Sequence, residues 1–168
     1  MAMYPQFEGD AEAAAKAGRR ELLRRATEKL GADEVILHDL RPEDLGAASS
    51  AGYGTVNLTT ANSFVDVITS GGNVIANNRW IVLYGFANNE AVREIDLVRI
   101  NRGQSTARKW NVRSLQYWMD NAGWSNQPVI VNDNTNVTLA LMATTVSTVA
   151  DFAFLGEVAD RRGAAVNP

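Results

Sequence analysis

The chain predicts a mainly β protein, an antiparallel β-sandwich or jelly roll of about eight strands with an N-terminal α-helical arm. Three observations carry that prediction. The first 45 residues contain no asparagine and one threonine, whereas the remainder holds fifteen asparagines and ten threonines. Charge is distributed the other way, with seventeen of the 35 Lys, Arg, Asp and Glu residues in the opening segment. Beyond it the apolar period changes from helical to twofold, and short apolar runs alternate with Asn/Asp/Gly turns. The expected organisation is an arm and linker over 1–50 and a β body over 51–168.

Residues 9–30 read as the arm's helix. Asp10 is placed to cap it, Ala11 to Ala17 are strong helix formers, and Gly31 stops it. Leu22, Ala26 and Leu30 form one narrow apolar stripe with Leu23 beside it, which needs a surface to lie on: the chain's own body, a neighbouring subunit, or a nucleic acid or lipid. Glu12/Lys16 and Glu21/Arg25 are favourable i,i+4 pairs. Val35 to Leu37 makes one short strand or buried link, Pro42 can open a helical turn, and 46–54 (GAASSAGYG) reads as linker.

From Thr55 the strands follow. Val56 and Leu58 alternate with Asn57 and Thr59, and Phe64 to Ile68 runs into a hairpin-type turn over 70–73. Trp80 to Phe86 is apolar on both faces, as in a central strand, with Gly85 marking a bulge or a close approach. Ile95 and Leu97 have opposite parity to Val98 and Ile100, which predicts a bulge or a register change. Arg108 to Trp118, Gln127 to Val131, Val137 to Ala143 and Phe152 to Val158 complete the set.

A length of 168 residues with 46% hydrophobic content suits one domain with an appendage, and the body can bury a core without staples. The absence of cysteine excludes thiolate chemistry, Cys-based zinc sites and disulfides. A net charge of −3 and a pI near 5.2 argue against nucleic-acid binding by the domain as a whole. No apolar run approaches the ~18 residues of a spanning helix, so a membrane is not an expected partner. The start, Met1-Ala-Met-Tyr-Pro, has no signal-peptide pattern. Asn57-Leu-Thr59 and Asn136-Val-Thr138 match the glycosylation pattern and read as strand residues. Thirteen arginines against three lysines fit buried or interfacial carboxylate pairing or a high-GC genome, and both explanations stay open.

The catalytic toolkit is nearly empty. His38 is the single imidazole, it lies in the leader outside the expected body, and no Gly-x-Ser-x-Gly elbow accompanies it. Most of the body's carboxylates fall next to turns or alternate outward, so no glycosidase pair is expected. Asn132 to Asn136 has the oxygens of a calcium loop without its acidic count or closing Glu, and reads as an Asx-stabilised turn. There is no phosphate-binding glycine motif. No catalytic residue, metal site, cofactor or small-molecule substrate is expected. Arg99, Arg102, Arg108, Lys109 and Arg113 form a basic stretch, but strand alternation scatters it over two faces. The candidate assembly surface combines the arm residues Leu22, Leu23 and Leu30 with Arg108, Trp110, Arg113, Tyr117, Trp118 and Trp124, since Arg and aromatics are enriched at interface hot spots. A carbohydrate-stacking platform would use the same aromatics.

From Trp80 onward the order of features resembles β-sandwich or jelly-roll virion structural proteins of bacterial and archaeal viruses. The residues carrying this are Trp80 to Phe86, Val98-Arg-Ile-Asn101, a Trp-containing segment, Gln127-Pro-Val129, Val137-Thr-Leu139 and 154–163 (FLGEVADRRG). The resemblance implies a capsid, cement (decoration) or appendage subunit with no catalytic residue. Such a protein would be made in a host cytoplasm, reside in the virion, and assemble with copies of itself and other virion proteins. A carbohydrate- or receptor-binding sandwich is the alternative of a different class.

Overall fold

The computed structural model describes residues 10–68, 72–119 and 121–163; for Asp10 and 116–119 only the backbone is described. The protein is mainly β, with antiparallel sheets and one N-terminal helix. The helix α1 spans Asp10–Leu30 and is followed by a 3-10 turn, Ala32–Glu34. Strand β1 (Val35–Asp39) and a second 3-10 turn (Pro42–Leu45) come next. The later strands are β2 (Val56–Leu58), β3 (Val65–Asp66), β4 (Asn73–Val74), β5 (Arg79–Asn88), β6 (Ile95–Arg102) and β7 (Ser105–Asn111). After a 3-10 turn at Val112–Ser114 come β8 (Gln116–Met119), β9 (Ala122–Val131), β10 (Asn136–Ala143), β11 (Ser147–Val149) and β12 (Phe152–Arg161).

One sheet has the order β1-β12-β5-β9-β8, and a second runs β3-β10-β6-β7 with β4 also on β10. A short ribbon pairs β2 with β11. Apolar residues of both sheets form one cluster: Ile81, Phe86, Val131, Phe154 and Val158 from the first, and Val98, Ile100, Trp110, Leu139 and Leu141 from the second. On the other face of the first sheet Leu22 and Ala26 of α1 meet Trp80, Val82 and Ala159.

That arrangement explains why β5 is apolar throughout. Ile81 and Leu83 face the inter-sheet core while Trp80 and Val82 lie under the helix. The parity then shifts at Gly85, where the register with both neighbours is irregular, and Phe86 enters the core. A Cβ at Gly85 would lie 2.6 Å from the Gly123 carbonyl oxygen, so the bulge requires glycine. The parity break in β6 is also a bulge. Ile95 and Leu97 face Ala143 and Met142, leaving Asp96 as the extra residue. Both helix ion pairs form, Glu12 with Lys16 and Glu21 with Arg25 at 2.8 Å.

The leader is integrated with the body in packing. Strand β1 completes the edge of the first sheet on β12, Leu22 is fully buried against the chain's own sheet, and Leu45 joins the inter-sheet core. The expected linker is anchored as well. Tyr53 is buried and stacked on Phe152 at 5.6 Å, and burial pushes its hydroxyl pKa up. Packing therefore marks no boundary near residue 50. The apolar runs at 22–30 and 35–37 are too short to form a core alone, and the sheet supplies the missing face. The hairpin turn expected at 70–73 lies largely outside the described residues.

Candidate functional site

The densest collection of buried charge sits where β1, β12 and β5 meet the Pro42–Leu45 turn. Register places Arg79 at the start of β5 directly opposite Asp160 near the end of β12. Arg79 Nη2 donates to Asp160 Oδ2 at 2.8 Å and Nε donates to Oδ1 at 3.0 Å. Asp44, supplied by the turn, accepts from the Arg41 amide at 2.9 Å and lies 3.1 Å from Arg79 Nη1. Both carboxylates are buried, so each requires its partner. The hydrogen bonds to Asp160 raise the Arg79 pKa above its ordinary value, against the effect of burial.

His38 belongs to this cluster, which corrects the expectation that it stands outside the body. Its Nε2 lies 3.2 Å from Asp160 Oδ2 and its Nδ1 lies 2.8 Å from the Asp39 carbonyl oxygen. The leader reaches the cluster because Val35–Asp39 is an edge strand of the sheet. The hydrogen-bond partners of the ring are a carboxylate and a main-chain carbonyl, with no hydroxyl nucleophile among them.

Beside β1 an open groove of about 460 Å³ is lined by Arg19, Leu37, His38, Asp39, Arg41 and Glu157. Burial pushes the Glu157 pKa up; Arg19 at 3.5 Å pulls it back and Asp39 adds to the rise. Glu157 is the one carboxylate facing a groove with a pKa raised in this way among the described residues.

The expected assembly residues separate into three groups. Leu22 and Trp110 are consumed by the chain's own cores and offer no surface, which removes them from the candidate interface. Leu23 and Leu30 are half-buried on α1, Leu30 against the helix-side cluster. Arg108 and Arg113 are exposed, Arg113 lying 3.0 Å from Asp96. Trp124 is half-buried and stacked on Tyr84, with ring centroids 4.9 Å apart and planes 16° from parallel. Tyr117 and Trp118 sit on β8, but their side chains lie outside the described residues. The basic stretch is dispersed only in part, since Arg99 and Lys109 are register partners and share the Phe64 ring. Arg99 lies over the Phe64 ring at 4.5 Å and 3.8 Å from Asp66, Lys109 approaches Phe64 at 5.6 Å, and Arg102 donates to the Ile130 carbonyl.

The turn at 132–136 holds its carboxylate with protein groups. Asp133 accepts from Lys29 Nζ and, at 3.1 Å, from the Asn78 amide, while Asn134 takes a positive φ of 54°. Among the described residues no group of three or more His, Cys, Asp or Glu is placed to hold a metal ion, and no helix is long and apolar enough to cross a membrane.

Sequence reasoning missed Arg79, Asp44 and Asp160. A signal existed for two of them: Asp160 has the inward parity of Phe152, Phe154 and Val158, and Arg79 that of Ile81 and Leu83. Two inward-parity charges of opposite sign, each at the end of an apolar strand, mark a buried pair. Comparison with family models, curated proteins and solved structures found no match to this chain.

Proposed function

We propose that the protein is a non-catalytic structural subunit. Its role would be that of the capsid, cement or appendage proteins which its C-terminal pattern resembles, in a virion and alongside copies of itself and other virion proteins. The two sheets, sharing one apolar cluster, are read as the faces of a β-sandwich. The observation that carries the reading is how the chain uses its ionisable groups. Asp44 and Asp160 close on Arg79, Asp96 on Arg113, Asp133 on Lys29, and Glu90 on backbone amides. Such pairing fixes strands and turns in place, whereas catalysis needs an acid or base held open toward a substrate; Glu157 does face a groove, with Arg19 3.5 Å away as its ion-pair partner.

A carbohydrate-binding module is the second reading, favoured by the Tyr84–Trp124 stack on the helix side of the first sheet. Sizing the purified full-length protein by light scattering, together with a glycan panel, separates the two. Oligomers or particles without glycan binding support the structural reading. A monomer that binds one glycan at micromolar affinity, and loses it on Trp124→Ala, overturns it.

A further inference from the structure

We infer that the outer edge of β1 pairs with the same edge of a second copy of this chain, antiparallel and about a two-fold axis at Leu37. The inference stands apart from the proposed function, since a paired edge would serve a binding module equally well.

The backbone directions come from β12. The Leu40 amide donates to the Gly156 carbonyl at 3.0 Å and the Arg162 amide to the Glu34 carbonyl at 2.6 Å, in line with the β1–β12 register. Even-numbered residues of this strand therefore point their amides and carbonyls at β12. The odd-numbered ones, Val35, Leu37 and Asp39, point theirs outward. Among the described residues β1 is the end of its sheet, and no other strand pairs with that outward row; its one hydrogen-bond neighbour is His38 Nδ1, 2.8 Å from the Asp39 carbonyl oxygen.

Natural edges are usually blunted by lysine, proline, a bulge or a covering loop. Strand β1 has no lysine or proline and keeps an unbroken register, and it offers Val35, Ile36 and Leu37, all half-buried. One antiparallel register uses every amide and carbonyl of that row, the Asp39 carbonyl accepting on the lone pair that His38 leaves open. Leu37 faces the partner's Leu37, and Val35 faces the partner's Asp39, each pair exchanging both of its N–H to C=O bonds. In the same register the Asp33 turn of one copy comes toward the partner's Arg41, bringing opposite charges together at both ends. Asp33 is exposed, and the Arg41 side chain is half-exposed with Glu43 at 3.6 Å as its ion-pair neighbour.

Sedimentation equilibrium of the full chain tests this with three variants. Asp39→Pro removes an outward amide without touching a β1–β12 bond. Asp33→Arg and Arg41→Asp each place like charges opposite one another, and the double variant restores attraction with its sign reversed. The expected result is a wild-type dimer whose Kd rises about tenfold or more in each single variant and returns toward wild type in the charge-reversed double. Thermal melting monitors the fold of each, and the two charge variants, on exposed residues, decide the matter if Asp39→Pro does not fold. A wild-type monomer at all concentrations overturns the inference, as does an oligomer indifferent to Asp39→Pro or a double variant that stays weak.

Discussion

Gly18 of the helix and Val82 of the central strand are in close contact: a Cβ on Gly18 would lie 3.0 Å from Val82 Cγ2 and 3.3 Å from Pro128 Cβ. A glycine in the middle of a helix costs about 1 kcal/mol relative to alanine. Here it lets the helix axis approach the sheet, so that Leu22 and Ala26 reach full burial. Gly18→Leu gains intrinsic helix propensity but has to lift the helix off Val82 and Pro128. Overpacking of this kind costs about 1–3 kcal/mol or more. The urea midpoint of Gly18→Leu should fall clearly below wild type, with Gly18→Ala close to it because propensity and contact offset. A Gly18→Leu protein as stable as wild type would mean that the helix is not seated as described.

Deletion of residues 1–45 removes α1, β1, Leu45 and Asp44 together. It uncovers Trp80, Val82 and Ala159, and it takes from Arg79 one of its two carboxylates. Leu22 alone, fully buried, stands for about 2–5 kcal/mol on truncation to alanine, a large part of the 5–15 kcal/mol that holds a domain folded. The 46–168 fragment should therefore lack a cooperative melting transition. A cooperative transition would restore the separable arm that the sequence suggested.

The strands and their parity breaks were legible because burial writes a period of two into the chain. The apolar run over 80–86 required cover on both faces, which the helix and the second sheet supply, and the mixed parity over 95–100 required a bulge, which falls at Asp96 so that Ile95 joins Val98 and Ile100 in the core. Strand pairing was not legible. Whether Val35 to Leu37 ends a sheet or links two elements depends on where Ala159 and Asp160 run, which is a long-range fact that local pattern does not carry. The candidate interface failed in part for the same reason. Leu22 and Trp110 look alike whether they face a partner or the chain's own sheet, since both situations bury the same apolar area. Composition misled at 46–54, where small residues resembled a free linker although Leu45 and Tyr53 pin its two ends.

Glu90 gives a pH dependence with a definite sign. Its carboxylate accepts the amides of Asp151 and Ala150, joining the turn after β5 to the start of β12, and these bonds hold its pKa below the ordinary value. The folded pKa is depressed, so the unfolded chain takes up this proton first as pH falls. The stabilisation is complete above the ordinary carboxylate range and is lost as pH drops through the lowered folded value. Urea midpoints measured from pH 6 to pH 3 should converge for wild type and Glu90→Gln, with wild type losing the larger share. Parallel curves would mean that the two amides do not hold the carboxylate in solution.

The Arg79–Asp160 pair predicts an asymmetry between its single and combined variants. Arg79→Met leaves two buried carboxylates, Asp44 and Asp160, without their shared guanidinium. Stranding a buried charge costs about 3–5 kcal/mol, enough to unfold a marginal domain. Asp160→Asn keeps the shape and one acceptor oxygen for Arg79, and it leaves Asp44 paired. Its cost should be nearer the about 1–3 kcal/mol of a weakened charged hydrogen bond. His38→Ala removes one bond to Asp160 and leaves those from Arg79 in place, so about 1 kcal/mol is expected. Combining Arg79→Met with Asp160→Leu and Asp44→Leu removes the charges together and should recover much of the loss, because well-packed apolar groups often match a buried ion pair in stability. Thermal melting of the five proteins ranks them: wild type highest, His38→Ala, Asp160→Asn and the apolar triple variant between, and Arg79→Met lowest. If Arg79→Met instead melts with wild type, the two carboxylates are solvated and the cluster does not hold β1, β5 and β12 together.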